Sequence, residues 1–326
     1  MSKRPNSCKI ERYEIQLRKR VFNLKIDFLK TSIITLILLA IAFLINVGPG
    51  LIILIAPFSL IPGTYLYMKS RPSFYVMAAI VTLISMIFMT IVAFQMILAI
   101  LIMSYILGYL LTSRVSRELM LFTMTALLSM YVLLSIIFLQ LTDMMPTTKK
   151  WFGELKEVYE TLAKSEIENG NITRENVTLF NSALDAMQLQ VPGLIIFNLF
   201  LLILLTLVIT LPLLRKLKVA TPNFRPLYLW QMPKIALYLY FAASITGWFL
   251  SPEDVVLLGI VVNLKYVLEW IMFIQGLSLL SFFLKVKRMP SFVKVLLFVL
   301  AFLMAPVTQF FGILDLIFRI KTRIKP

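Results

Sequence analysis

Forty consecutive residues, 73–112, pass without a single Asp, Glu, Lys or Arg. About 20 apolar residues are enough to cross the hydrocarbon core of a bilayer. The block is too long for one span, so it is expected to divide in two, near Ala93–Gln95. Further apolar runs approach or exceed the spanning length on both sides of it. The chain is 60% hydrophobic and 15% charged, with mean hydropathy +0.90. A soluble domain is nearer about 45–50% apolar and about 25% charged. The composition therefore selects an all-α integral membrane protein.

Punctuation between the runs divides them further. Span 1 is expected over 31–47, closed by "GPG", and span 2 over 51–68, with Pro57 and Pro62 inside it. Spans 3 and 4 share 73–112, and span 5 covers 119–141. Span 6 covers 192–214, span 7 covers 234–250, and span 8 runs from the "SPED" helix start at 251–254 to about 284. The last apolar run, 292–318, reads as a final membrane helix or a re-entrant hairpin broken at Pro306 and Gly312. The expected organisation is thus a basic tail (1–30), a first five-span bundle (31–141), an amphipathic segment (142–190), a second bundle (191–318) and a basic tail (319–326).

A net charge of +16 suggests nucleic acid at first sight. The positions of the charges exclude it: "KSRP", "SRVSRE", "RKLK" and "KVKR" each sit just outside an apolar run, where the positive-inside bias places them. Residues 1–30 carry nine Lys or Arg, which marks a cytoplasmic N-terminus. That polar stretch is too long for a cleavable signal peptide. One cysteine, Cys8, allows no intrachain disulfide, and the absence of histidine leaves almost no ligands for zinc, haem or an iron–sulfur centre. No metal and no cofactor are expected. No P-loop pattern occurs, and without histidine neither H-E-x-x-H chemistry nor a His-based triad is available. The chain is not expected to be an enzyme.

Residues 142–190 differ from the rest, holding eight of the sixteen acidic residues. Trp151, Leu155, Val158 and Leu162 follow helical spacing, as do Val177, Phe180, Leu184 and Met187, with Thr173 as N-cap of the second helix. This predicts an extracytoplasmic helical hairpin, acting as a lid, a docking surface or a packed loop, with Trp151 able to anchor it at the membrane interface.

The polar residues inside apolar runs are the candidate site. Lys265 and Glu269, four apart, share one face of span 8; Asn263 and Gln275 point elsewhere. Ions at membrane depth mark a binding or coupling site by default, the bland alternative being a satisfied pair that only fixes packing. Asn198 in span 6 is a further ligand candidate, though a helix–helix hydrogen bond accounts for it better. Asp315 and Arg319 read as a local pair ending the last helix. Phe224, Tyr228 and Trp230, in "FRPLYLWQMP", form either an interfacial anchor or a partner-docking strip.

Several motifs resemble those of the YybS-like family of uncharacterised polytopic membrane proteins. They are "APFSLIP" (56–62), "ILGYLL" (106–111), "FRPLYLWQMP" (224–233), Asn263 with "IQGLSLLSFFL" (274–284), and "GILDLIFR" (312–319). The chain departs from that pattern at "KSRPSFYVMAAI", where relatives carry small residues of the kind that let membrane helices approach closely. The resemblance covers Asn263 and Gln275 but not Lys265 and Glu269. More distantly, the first six spans resemble the S components of energy-coupling-factor vitamin transporters, which implies a solute-binding bundle energised by separate subunits. The expected function is a small-molecule binding or transport component without its own ATPase, in a bacterial cell membrane. The alternative is a non-transporting scaffold or regulatory protein that binds partners through its hairpin and its aromatic loop. The partners expected are the lipid bilayer, a small-molecule solute and energising or scaffold membrane subunits, and not nucleic acid.

Overall fold

A computed structural model describes residues 26–168, 173–223, 225–251 and 254–323. Every regular element among them is helical. In chain order these are α1 (Phe28–Val47), α2 (Ile52–Lys69), α3 (Arg71–Phe88), α4 (Ile91–Thr112), α5 (Arg117–Leu141) and α6 (Thr148–Glu168). There follow α7 (Arg174–Lys216), α8 (Lys234–Phe249), α9 (Val255–Val286), α10 (Ser291–Leu303), α11 (Ala305–Phe318) and the short α12 (Ile320–Arg323). Seven of the described helices are long and apolar enough to cross a membrane: α1 to α5, α7 and α9. The bent pair α10–α11 gives up to eight. Large apolar side chains such as Leu36, Phe43, Leu54 and Ile87 are exposed, as a surface facing hydrocarbon requires.

Contacts divide the chain into two compact units. The first takes the described residues of Met1–Val132 with Leu199–Phe224, and the second those of Leu133–Asn198 with Arg225–Pro326. These limits differ from the boundaries at 141 and 191 expected from the sequence, because α5 and α7 each contribute residues to both units.

In the first unit, Pro57 lies inside α2, where it cannot donate to the helix ladder. Thr210 of α7 donates its hydroxyl to the Pro57 carbonyl at 2.7 Å, tying α7 to α2 beside the proline. The "APFSLIP" and "ILGYLL" motifs lie on the packed helices α2 and α4. Ser70 accepts a hydrogen bond from the Ser73 amide and so opens α3, with Pro72 in its first turn. The buried face of α3 mixes small and bulky residues, Ser73 and Ser85 with Phe74, Met77 and Val81, and Phe74 packs edge-on to Tyr67. The apolar block 73–112 breaks at Met89–Thr90, slightly ahead of the expected Ala93–Gln95. Thr90 caps α4 through the Ala93 amide, and its own amide donates to Asn46 Oδ1 at the end of α1.

In the second unit, α6 and the first turns of α7 form the predicted helical hairpin. Tyr159 stacks on Phe180 at 3.7 Å between centroids, Lys156 pairs with Asp185 at 2.6 Å, and Asn181 donates to Glu160. Thr173 accepts from the Asn176 amide, as expected of an N-cap. The hairpin's second limb continues without a break into span 6, making α7 43 residues long. Helix α8 has 16 residues, about 24 Å, and is shorter than a bilayer core of about 30 Å. The final run bends by 100° at Met304. Pro306 sits in the first turn of α11, which fits its missing N–H, whereas Gly312 lies mid-helix and breaks nothing. The basic tail to residue 25 (Cys8 included), residues 171–172, Pro252, Glu253 and Phe224 lie outside the described residues.

Candidate functional site

Gln275 is fully buried in α9. Its Oε1 accepts from the Met232 amide at 2.9 Å, and its Nε2 donates to Asp315 Oδ2 at 2.5 Å. Asp315, on α11, is 1% exposed. Its other oxygen accepts from the Lys321 amide at 3.1 Å, and the Lys321 ammonium stands 3.4 Å from Oδ2. That ammonium also donates to the Trp230 carbonyl at 2.5 Å and to Ser278 Oγ at 2.9 Å. The Ser278 hydroxyl lies 2.7 Å from both the Leu227 and the Trp230 carbonyls. A carboxylate and an ammonium are thus removed from water together and saturated with hydrogen bonds, the condition under which burial of charge is tolerated. Burial pulls the Lys321 ammonium below its ordinary range, with Asp315 pulling the other way.

The local backbone makes this arrangement. Arg319 adopts a left-handed φ of 52° and its amide bonds the Asp315 carbonyl, ending α11. The reversal brings Lys321, two residues on, back over Asp315. The expected Asp315–Arg319 pairing is therefore corrected: helical four-residue spacing fails once Arg319 leaves the helix, and the ion pair is Asp315–Lys321. The close crossing of α9 and α11 needs Gly276 and Gly312. A Cβ on Gly276 would overlap the Thr308 carbonyl, and one on Gly312 would overlap the Met272 carbonyl.

The other candidates do not join this cluster. The Asn263 amide donates at 2.7 Å to the Leu189 and Gly259 carbonyls, and its Oδ1 accepts from the Gly193 amide at 2.6 Å. Leu189 C=O and Gly193 N–H form one rung of a regular α-helix. Asn263 thus bridges a rung of α7 beside Pro192, whose ring crowds the ladder there. Lys265 and Glu269 stand 3.8 Å apart with side chains 44% and 30% exposed, so their own unit covers the pair only in part. Asn198 is exposed and donates to Leu194 of its own helix.

Trp230 donates its indole N–H to the Arg225 carbonyl, and the Tyr228 ring lies 3.7 Å under the Lys285 ammonium. The aromatic strip is thus folded onto its own unit, and its main chain supplies three groups of the buried cluster. Trp151 is exposed on α6. Lys321, Ser278 and the loop carbonyls were missed by sequence reasoning. Lys321 sits in a run of basic residues that looks solvated, and a main-chain acceptor has no signature. In the first unit, an apolar cavity of about 260 Å³ is lined by Ala56, Leu60, Met96, Ile100, Ile203 and Thr206, among others.

Residues 33–317 match the family described as "Predicted membrane protein (DUF2232)". The chain is 26% identical over 199 residues to "Uncharacterized protein YybS" of Bacillus subtilis (strain 168). That alignment covers 60% of this chain and 63%, less than two thirds, of the relative. No solved structure matches the chain.

Proposed function

Because the chain belongs to the DUF2232 family of predicted membrane proteins, we propose that it is a small-molecule binding or transport component without an ATPase of its own. The observation that carries this reading is the buried Asp315–Lys321 pair, held by Gln275 where a discontinuous membrane helix ends. Ionisable groups at membrane depth and broken helices are the parts from which transporters build coupling sites. The apolar cavity of the first unit is the place for a solute of low polarity. In this reading the chain catalyses nothing, and separate subunits energise it in the manner of S components. The basic ends of α2, α4 and α7 support a cytoplasmic N-terminus and an extracytoplasmic α6–α7 hairpin in this reading.

The test is thermal unfolding of the purified protein against vitamins, nucleobases, amino acids and ions. A ligand-specific rise in Tm that is lost in Asp315→Asn supports the reading; no rise across the panel sinks it. The exposed apolar stripe Trp151, Leu155 and Val158 on α6 favours a second reading, a scaffold or regulator that binds a protein partner. Affinity capture from membranes separates the two: an ATPase pair with a scaffold subunit supports transport, and unrelated enzymes captured through the hairpin support the second.

A further inference from the structure

We propose that the second unit holds an anionic glycerophospholipid, with an acyl chain in the cavity between α9, α10 and α11 and the phosphate at the basic turn joining α9 to α10. The inference is independent of any transported solute. The cavity measures about 340 Å³ and is almost wholly apolar, bounded by Gly276, Phe283, Leu297, Ala301, Met304 and Thr308, among others. It lies in the angle that α10 and α11 make at Met304, against α9. Its apolar lining suits a hydrocarbon chain and offers a free polar solute nothing to hold.

The mouth identifies the headgroup. Residues 270–314 contain Lys285, Lys287, Arg288 and Lys294 and not one acidic residue. Lys285 is engaged over the Tyr228 ring. Lys287 lies one helical turn beyond the lining residue Phe283, whose carbonyl its amide bonds at 2.9 Å. Lys294 lies one turn before the lining residue Leu297. Helical spacing thus puts both cations on the cavity's own faces, with Arg288 between them in the turn at φ 50°. The nearest acids along the chain are Glu269, paired with Lys265, and Asp315, paired with Lys321. Three cations over an apolar slot complement one phosphate above an acyl chain, and basic pockets between membrane helices bind anionic headgroups for this reason.

The full chain, purified in neutral detergent and stripped of lipid, is titrated with phosphatidylglycerol and with phosphatidylcholine of the same acyl chains. Thermal shift and bound phosphorus are the readouts. Phosphatidylglycerol is expected to bind at about one per chain and at least about tenfold more tightly than phosphatidylcholine. The surface variant Lys287→Gln/Arg288→Gln/Lys294→Gln should erase that preference without lowering the lipid-free Tm. Ala301→Leu, which partly fills the slot, should weaken both lipids. Equal binding of the two lipids overturns the proposal, as does a preference that survives the triple variant. Inorganic phosphate or an isoprenoid phosphate matching phosphatidylglycerol would overturn the assignment of the headgroup's source.

Discussion

Replacing Gly312 by alanine tests whether the α9–α11 crossing holds the buried cluster together. A Cβ there would overlap the Met272 carbonyl and stand 2.8 Å from the Gly276 nitrogen, where ordinary contact begins at 3.4 Å. The helices must part to relieve both contacts, the Met272 carbonyl setting the distance. Overpacking of this kind costs about 1–3 kcal/mol. Parting also stretches the 2.5 Å bond from Gln275 to Asp315, and a hydrogen bond to a charged group contributes about 1.5–3 kcal/mol. Alanine's helix propensity returns about 1 kcal/mol. The net loss is about 1.5–5 kcal/mol, a fall in Tm on the order of 3–20 °C. The assay is thermal unfolding in detergent followed by tryptophan fluorescence. Gly259→Ala, in the partner helix α9 with nothing within 4 Å of the added carbon, is the control. It should be neutral or raise Tm slightly. If Gly312→Ala proves no less stable than Gly259→Ala, the crossing is not close-packed and the reasoning fails.

Asp315→Asn and Lys321→Met should each destabilise by about 3–5 kcal/mol, because each strands a buried charge. The double variant should recover part of that loss, and a double as unstable as the sum of its parts would refute the pairing. Lys265→Met and Glu269→Gln, which split a half-exposed pair 3.8 Å apart, should each shift stability in detergent by less than about 1 kcal/mol. A larger effect in denaturation would mean the pair is shielded. Asn263→Ala removes three hydrogen bonds around Pro192 and should cost about 1–3 kcal/mol. Amide hydrogen exchange at Gly193 should rise with it, and an unchanged rate would contradict the bridge.

Much of the architecture was legible because lipid imposes a coarse code: apolar runs of spanning length, closed by glycine, proline or basic clusters, became α1, α2, α5 and α9 nearly as expected, while helical spacing in 142–190 became the α6–α7 hairpin. The break at Met89–Thr90 was misplaced because no glycine or proline marks it. It depends on a cap at Thr90 and on Asn46, two helices away. Gln275 was recognisable as a polar residue in oil, and its environment is the most buried of the candidates. Its partners were hidden for different reasons. Asp315 invites a helical partner at Arg319, yet one left-handed residue redirects the chain to Lys321. Asn263 answers a proline some 70 residues earlier, a distance over which periodicity carries no information.

The Lys321 ammonium grips a carbonyl 91 residues upstream, and Gln275 holds an amide 43 residues upstream. During synthesis the loop around Trp230 therefore emerges long before either of its anchors exists. Domains are built from the N-terminal side as the chain is made. Here a segment already at the membrane, held first by Gln275 and Ser278 of α9, gains its last partner only with the last described turn, Ile320–Arg323. The second unit is consequently completed from its end backward, so cutting the chain after Phe318 would leave Asp315 buried without its cation however complete the helices before it.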